Sequence, residues 1–217
     1  MSKNAKKPAL VLASSSPFRR QLLTQLQVPF TVVSPDIDET AGAQEKPEGL
    51  VERLAIEKAY AVGANLSDSL IIGSDQVATY DGKIVGKPGD RATAVKQLLA
   101  ASGQTVRLYT GVALLNSNSG VIRSRVIPYE VVFRDLTLTM IQRYLEREQP
   151  YGCCGSLQAD GLGVAFLTRI SGDDPSALIG LPLITVIDLL AQESYFVLYP
   201  RVASVTAVSV TVLHRVL

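Results

Sequence analysis

The chain has 217 residues, long enough for one domain or two lobes around a substantial core. Hydrophobic residues make up 47% and charged residues 19%, which excludes an intrinsically disordered protein. The formal net charge of +1 argues against a general nucleic-acid binder, so any basic patch must be local. The single histidine, His214, lies outside every motif, which argues against serine-histidine-aspartate triads and histidine-rich zinc sites. Chemistry here has to rest on carboxylates, lysines, arginines or an oxygen-bound metal.

The two cysteines, Cys153 and Cys154, are adjacent, and neighbouring cysteines form a disulfide only under strain. The sequence thus gives no sign of a disulfide framework and fits a reducing cytoplasm. An N-terminal group of lysines precedes an apolar run that is too short for a signal peptide. The valine-rich stretch Val202–Leu213 is shorter than the ~20 apolar residues that span a bilayer. We expect a cytoplasmic protein without a membrane partner.

The first strong signal is a strand-to-helix junction. The apolar run Ala9–Ala13 is typical of a buried strand, three serines follow it, and Pro17 opens a helix that Ser16 can cap. Arg19 and Arg20 lie in the first helical turn, where a cation opposes the helix dipole. Helix N–H groups, hydroxyls and guanidinium groups together favour a phosphate site. A surface helix with two solvated arginines is the alternative.

An acidic loop follows a short strand run at Val28–Val33. It carries Asp36, Asp38 and Glu39, which can hold a hard divalent cation through oxygen. A solvated turn is the commoner explanation of an isolated acidic cluster, so the context has to decide.

A lysine interrupts the apolar stripe of the next predicted helix, Pro47–Asn65. Lys58 falls in the middle of that stripe, whose members are Val51, Leu54, Ala55 and Val62. A lysine at such a position either extends its stem along the core or directs its ammonium into a cleft. The first explanation is commoner, so Lys58 alone is weak evidence of a site.

The second strong signal is a buried strand run, Leu70–Gly73, that leads to Asp75 and Gln76. Extended residues continue to a hairpin turn at Asp81-Gly82. The register of this turn predicts that Gln76 lies opposite Lys87, with Asp75 beside it. A carboxylate beside a lysine at the end of a buried strand is typical of a general base or a metal ligand. A structural ion pair is an equally good interpretation.

The rest of the chain predicts a mixed sheet. We expect helices at Asp90–Ala101, Thr137–Glu148 and Gly180–Leu190, strands at Val106–Leu115, Val121–Phe133 and Leu162–Ile170, and a glycine-rich loop at Pro150–Gly163. Gly111, inside a strand, indicates a bulge or a close backbone approach. Early alternation of strands and helices followed by an antiparallel pair predicts an α/β protein. We assign residues 1–193 to one domain and 194–217 to an atypical apolar tail.

Taken together, the sequence resembles the Maf nucleotide pyrophosphatases from Leu10 to Leu190. Seven motifs occur in the family's order and rough spacing: LASSSPFRRQLL, DIDET, EKA at residues 57–59, IIGSDQV, GKP, YTG and GLP. Each motif alone is weak, but seven in order are highly specific. The Ser-Pro-aromatic-Arg-Arg, Cys-Gly-Ser and Asp-Pro runs are most similar to the YceF-type branch, which acts on 7-methylguanosine triphosphate (7-methyl-GTP).

The resemblance implies hydrolysis of a nucleoside triphosphate between its α and β phosphates, which removes a modified nucleotide from the pool. It implies a divalent cation, Mg²⁺ or Mn²⁺, and a homodimer. The implied fold is a mixed, elongated central sheet whose flanking helices form two lobes around a cleft, similar to the inosine triphosphate pyrophosphatases. The expected partner is the nucleotide substrate, not a nucleic acid.

The resemblance also implies roles for individual residues. Asp75 matches the proton acceptor that activates water. The substrate-selectivity positions match Phe18, Gln76 and Asp160, and the phosphate- and metal-handling positions match Ser14, Arg19, Arg20, Glu39, Lys58 and Lys87. We assign catalysis to Asp75, Lys58 and Lys87, and metal binding to Glu39 and Asp75, with Asp36 and Asp38 as open alternatives. The branch usually has tryptophan in place of Phe18 and glutamate in place of Asp160.

Two further hypotheses stay open at this point. The same reaction on dTTP, UTP or another modified nucleotide would keep the chemistry and change the base. A nucleotide-binding regulator of septum formation would bind without turnover, although a pure binder needs no general base.

Overall fold

The computed structural model describes residues 7–198 of the chain. This part contains five α-helices, seven strands and three short 3₁₀ segments. The helices are α1 (Pro17–Thr24), α2 (Pro47–Gly63), α3 (Arg91–Ala101), α4 (Leu138–Glu148) and α5 (Leu183–Gln192). The strands are β1 (Ala9–Ala13), β2 (Thr31–Val33), β3 (Ser69–Tyr80), β4 (Lys83–Val85), β5 (Thr105–Asn116), β6 (Ile122–Phe133) and β7 (Leu167–Ser171). The 3₁₀ segments are Cys154–Ser156, Leu162–Phe166 and Pro175–Ile179.

The strands form one mixed sheet in the order β2-β1-β3-β5-β6-β7, and β4 pairs with β3 outside this path. β1 is parallel to both β2 and β3, and these connections run through α1 and α2. The pairs β3–β5, β5–β6 and β6–β7 are antiparallel, and β5–β6 is a hairpin. The predicted mixed α/β class is confirmed.

Strand β3 has a gap along one of its edges. β1 pairs with β3 only as far as Gly73, and β4 pairs with it only from Ala78 onward. Between them, the segment Ser74–Val77 has a strand neighbour only on the β5 side within residues 7–198. The Gln76 carbonyl in this gap accepts a hydrogen bond from Cys154 Sγ at 3.1 Å. Cys154 of the glycine-rich loop, rather than a strand, therefore lies against this part of β3.

Two glycines let helix α2 lie directly on the sheet. A Cβ at Gly73 would come within 2.0 Å of the Ala55 carbonyl oxygen, and one at Gly111 within 2.1 Å of the Val51 carbonyl oxygen. Both obstacles are helix backbone, so any side chain here would push α2 away. The pairing of β5 runs through Gly111 without a register shift. The close approach expected there is confirmed, and the bulge is not what forms.

The apolar core is divided between two lobes. One cluster packs β1 and the start of β3 against α1 and α5, with Leu12, Leu23 and Leu190 fully buried. A second cluster packs α3 and α4 against the ends of β5 and β6, with Leu98 and Ile141 fully buried. Smaller clusters lie beneath α2. The seam between the two main clusters contains the cleft described below.

Three local predictions differ from the structure. The strand expected from Leu162 begins at Leu167, because Leu162–Phe166 forms a 3₁₀ turn. The buried run and the extended residues expected after it form one continuous strand to Tyr80, so Asp75 and Gln76 lie inside a strand and not at its end. Gln76 does not pair with Lys87: the hairpin separates after Val85, and the Gly86 carbonyl accepts from the Gly155 N–H and from Gln97 instead.

No helix within residues 7–198 is long and apolar enough to cross a membrane. The extra strand considered at Val202–Leu213 lies outside the described residues. Tyr195, two residues past the predicted domain boundary, is 2% exposed and packs in the α1–α5 cluster. The boundary at residue 193 stays a prediction.

Candidate active site

A buried lysine joins two carboxylates from separate elements. Lys58 Nζ, on α2, donates to Asp75 Oδ1 at 2.6 Å and lies 2.7 Å from Glu39 Oε1. Lys58 is 4% exposed and Asp75 is 7% exposed. A buried ammonium is stable only when paired. Lys58 therefore lies on the core-facing stripe because two carboxylates receive its charge there.

Asp75 keeps one carboxylate oxygen free. Lys58 occupies Oδ1, and Oδ2 receives no hydrogen bond from residues 7–198. No fully buried side-chain oxygen or nitrogen in that range lacks a partner. Since Oδ2 has none, it must be accessible to solvent. This geometry is what a general base needs, with one oxygen fixed and the other open to water.

Glu39 lies among the positively charged groups of the same site. Its desolvation alone would raise the pKa, yet the pKa of this carboxyl lies below its ordinary value because Lys58 donates to it and because Lys58, Lys87 and Arg19 are positively charged nearby. The loop that carries Glu39 is held to α2 by Arg53, which donates to the Thr40 carbonyl at 3.1 Å. Glu39 thus links the acidic loop to cations from three other elements.

A cleft of about 260 Å³ lies beside this ion cluster. One wall comes from the start of α1, with Phe18 and Arg19, and the opposite wall from the glycine-rich loop, with Asp160. Gln76 and Lys87 complete the predicted residues in its lining. The structure therefore brings an aromatic ring, an amide, a carboxylate and two cations to one cavity.

Consecutive residues of β3 face opposite sides of the sheet. Gly73 and Asp75 face α2, whereas Ser74 and Gln76 face the segment 174–182. Asp75 and Gln76 both lie in the gap of β3, on its two opposite faces. Asp75, Lys58 and Glu39 do not themselves line the cleft, whereas Gln76, the next residue along β3, and Lys87 do.

Arg19 is fixed by a single contact. Its Nε donates to the Gly180 carbonyl at 2.8 Å, and its terminal nitrogens have no acceptor within residues 7–198. The Ser16 cap accepts from the Arg19 N–H, as predicted. A guanidinium held by Nε presents its two other nitrogens to an anion.

Ser14 and Arg20 lie on the other side of the junction. They line a separate hollow together with Ser34, and it meets the cleft at Ser15–Pro17. Ser14 is buried, and its Oγ accepts from the Ser16 N–H at 3.1 Å. The structure thus places these two predicted phosphate-binding residues in the neighbouring hollow, whereas Arg19 lines the cleft itself.

The cysteines in the cleft wall are neutral thiols. Burial raises the pKa of Cys153 to about 12 and also raises the pKa of Cys154. Both are free. Since the thiolate is the nucleophilic form, neither cysteine offers nucleophilic chemistry at neutral pH.

Three polar residues escaped the sequence reasoning. The single hydroxyl hydrogen of Ser74 is shared between the Gly111 and Gly180 carbonyls, at 2.8 and 2.9 Å from Oγ, and Thr110 Oγ1 donates to the Ala177 carbonyl. Asp174 is 3% exposed and accepts four hydrogen bonds. Thr110 directly precedes Gly111, where the sequence indicates a close backbone approach, but only the fold shows the hydrogen-bond partners of these three side chains.

The carboxylates fit a shared rather than a self-contained metal site. Within residues 7–198 no three histidine, cysteine or acidic side chains converge as a cation cage. Glu39 and Asp75 both contact the Lys58 ammonium, so two carboxylates lie close together, and carboxylates are hard oxygen ligands. Mg²⁺ is commonly held by one or two carboxylates together with substrate phosphates. This donor set fits a cation that arrives with a nucleotide.

Comparison with known proteins identifies relatives of this arrangement. The family model "Maf-like protein" matches residues 9–193. A protein of Nitrosococcus oceani named 7-methyl-GTP pyrophosphatase is 54% identical over 191 residues, 88% of this chain and 96% of that one. Proteins with the same name from Vibrio vulnificus and Pseudomonas aeruginosa are 51% and 50% identical, cover 87% and 86% of this chain, and are each covered over 97% of their own length.

A solved structure, the Ham1 protein of Staphylococcus aureus, aligns at 14% identity with a TM-score of 0.42, over 58% of this chain and 72% of that chain. This score is too low to support a functional inference. The family model and the relatives that are about 50% identical are much stronger evidence, since each match spans nearly all of the residues that the structure describes. The chain belongs to the Maf-like protein family.

Proposed function

We propose that this protein hydrolyses 7-methyl-GTP between the α and β phosphates and releases 7-methyl-GMP and pyrophosphate. The observation that supports the proposal is that Asp75, paired with Lys58, is followed directly along β3 by Gln76, which lines the cleft. Lys58 fixes Asp75 on one face of the strand, and on the other face Phe18, Gln76 and Asp160 line a cleft of about 260 Å³. The relatives' names agree with this substrate.

The chain's own groups account for the proton and the charge. Asp75 Oδ2 accepts a proton from water as the water oxygen attacks one phosphorus of the α–β linkage. The bridging P–O bond breaks, and the electron pair leaves on the departing phosphate oxygen. Arg19 and Lys87 line the cleft and stabilise negative charge on the phosphates. Lys58 keeps Asp75 oriented through Oδ1.

A divalent cation is part of the proposal. Glu39 and Asp75 would hold it with phosphate oxygens of the substrate, and Mg²⁺ or Mn²⁺ would supply Lewis-acid stabilisation of the phosphate charge. Both carboxylates contact the same Lys58 ammonium, which supports this role because it brings the two groups to one place.

The cleft favours a methylated purine. N7-methylation makes guanine cationic, and a cationic ring gains from the π face of Phe18. The exposed carboxylate of Asp160 lines the same cleft and can accept from the N1–H and amino group of the base. A pyrimidine offers less stacking surface and no positive charge.

The test is a nucleotide panel assayed for pyrophosphate release with Mg²⁺ or Mn²⁺. We expect 7-methyl-GTP to be preferred over dTTP and UTP by at least about tenfold in kcat/KM. The variant Asp160→Asn should lower the preference for 7-methyl-GTP, whereas Asp81→Asn, in the hairpin turn, serves as the matched control. Faster turnover of dTTP or UTP would assign the reaction to a pyrimidine nucleotide. Tight binding without any release would instead support a non-catalytic regulator.

We further propose a homodimer that acts in the cytoplasm. The family resemblance supports both points. Light scattering of the purified protein gives its mass in solution, and a mass near 23.3 kDa, that of one chain, would contradict the dimer.

A further inference from the structure

We propose that Asp174 is the positioning residue for the base-recognition side of the cleft, acting through the segment 174–182. This inference rests on the proposed function for the identity of the substrate. Asp174 touches no ligand position itself and lines no described cavity. Its effect is to hold three backbone carbonyls that orient Gln76 and Arg19.

The Asp174 carboxylate closes the segment at both ends. Oδ1 accepts from the Ser176 N–H at 3.1 Å and from Ser176 Oγ at 2.5 Å. Oδ2 accepts from the N–H groups of Ile184 at 2.9 Å and Thr185 at 3.4 Å, in the first turn of α5. The residue before α5, Pro182, has no side-chain cap, so Asp174 satisfies helix N–H groups that are otherwise unpaired.

The carbonyls of this segment bind the cleft residues. The Ala177 and Leu178 carbonyls accept from Gln76 Nε2 at 2.7 and 3.2 Å. The Gly180 carbonyl accepts from Arg19 Nε at 2.8 Å and Ser74 Oγ at 2.9 Å. Leu178 also lines the cleft directly.

These contacts dictate which end of the Gln76 amide meets a ligand. Carbonyl oxygens only accept, so the NH₂ group has to face Ala177 and Leu178. Thr110 Oγ1 gives its own hydrogen to Ala177 and therefore also accepts from Gln76 Nε2, at 3.0 Å. Gln76 thus presents its oxygen to the cleft and acts as a hydrogen-bond acceptor for the base. Asp174 maintains this orientation of the Gln76 amide because it holds the segment 174–182, without touching Gln76 itself.

The experiment compares Asp174→Asn with the wild-type protein in steady-state kinetics on 7-methyl-GTP and UTP. An asparagine of the same shape has one acceptor, so its NH₂ group must face backbone N–H groups at one end of the segment. We expect the KM for 7-methyl-GTP to rise about tenfold and the preference over UTP to fall by a similar factor, with kcat within about threefold. The Lys58–Asp75 contact lies on the α2 face of β3, and neither of its two side chains hydrogen-bonds to the segment 174–182.

A merely structural role predicts a different pattern. Partial unfolding lowers the amount of active enzyme, so kcat falls equally for both nucleotides while KM stays constant. Thr137→Ala removes the N-cap of α4 at a residue that does not line the cleft, and shows this pattern as a stability control. Asp173→Asn makes the same substitution at the exposed neighbouring residue and should leave KM and preference unchanged.

Ser176→Ala keeps the proposal testable if Asp174→Asn does not fold. It removes the hydroxyl that donates to Asp174 and accepts from the Leu183 N–H, and should raise KM about threefold. Wild-type KM and preference in a folded Asp174→Asn protein, or in Ser176→Ala when the former is unfolded, would overturn the inference.

The failure of the proposed function is read separately. If the wild-type protein releases no pyrophosphate, equilibrium binding of 7-methyl-GTP replaces kinetics. Weaker binding by Asp174→Asn than by Asp173→Asn then still supports the inference, and equal binding overturns it.

Discussion

Lys58 Nζ lies 2.6 Å from Asp75 Oδ1, although one residue belongs to a helix and the other to the interior of a strand. The contact exists because Gly73 and Gly111 let α2 approach the sheet backbone directly. Burying both charges costs desolvation free energy, and a well-packed apolar pair is often at least as stable. We infer that the pair is retained for its chemistry.

Asp75→Asn should abolish turnover while nucleotide binding persists. The amide cannot accept a proton from water, so we expect kcat to fall by about 10²–10⁴-fold, the usual contribution of a general base. Pyrophosphate release measures the first effect and equilibrium binding of 7-methyl-GTP the second. Asp135→Asn changes an exposed aspartate outside the cleft and is the control. Retention of wild-type kcat would remove Asp75 from its role.

Lys58→Met should destabilise the fold as well as inactivate the site. The thioether fits the apolar stripe, but Asp75 is left as a buried carboxylate without its partner, and such breaks cost about 3–5 kcal/mol. The free energy of unfolding in urea measures this loss. Lys96→Met, on the exposed face of α3, should change it by less than about 0.5 kcal/mol. Equal stability of the two variants would contradict a paired, buried lysine.

Gly111→Ala should separate α2 from the sheet. The new Cβ would lie 2.1 Å from the Val51 carbonyl oxygen, so we expect a loss of at least about 1–3 kcal/mol together with reduced kcat, since Lys58 moves with the helix. Gly49→Ala makes the same change in α2, the helix that Gly111 contacts, and serves as the control because its Cβ would meet nothing within 4 Å. It should be neutral or slightly stabilising. Thermal unfolding and kinetics of both variants check the contrast.

Glu45→Gln should alter the acid dependence of stability. The hydrogen bond from Arg53 lowers the pKa of Glu45 to about 2 in the folded protein, below its ordinary value of 4.5. A lowered folded-state pKa stabilises the fold above the unfolded value, and this contribution is lost as the pH falls through the folded value. The wild-type Tm should therefore exceed that of Glu45→Gln fully above about pH 4.5, and the difference should shrink towards pH 2. A constant difference across this range would show that the ion pair does not contribute.

The local signals of the sequence predicted the elements well. Ser16, Pro17 and the preceding apolar run define the β1–α1 junction because capping, proline geometry and burial all act within a few residues. The register at Tyr80 and Lys83 is also as predicted, since a two-residue turn sets it. The end of that hairpin was missed because Gly86 bonds to a segment about seventy residues later.

The site itself was predicted in part. Lys58 stood out against its apolar stripe, but nothing local could name Asp75, which lies on another element, as its partner. Arg19 and Arg20 are separated because successive side chains of a helix point about 100° apart around its axis. The hollow beside Arg20 forms only once β2 and the residue after it are in place. The sequence did not distinguish Asp174 from an ordinary turn residue, because the carboxylate accepts from a backbone N–H group ten residues further along the chain.

Asp75 and Gln76 are successive residues, yet they serve opposite sides of one strand. The carboxylate proposed to activate water and the amide proposed to meet the base are thus adjacent in the chain but have different packing partners. Substitutions in the walls that Gln76 faces can retune which base is accepted while the water-activating side keeps its form. A single scaffold of this kind can be adapted to many damaged or modified nucleotides, with the reacting end left untouched.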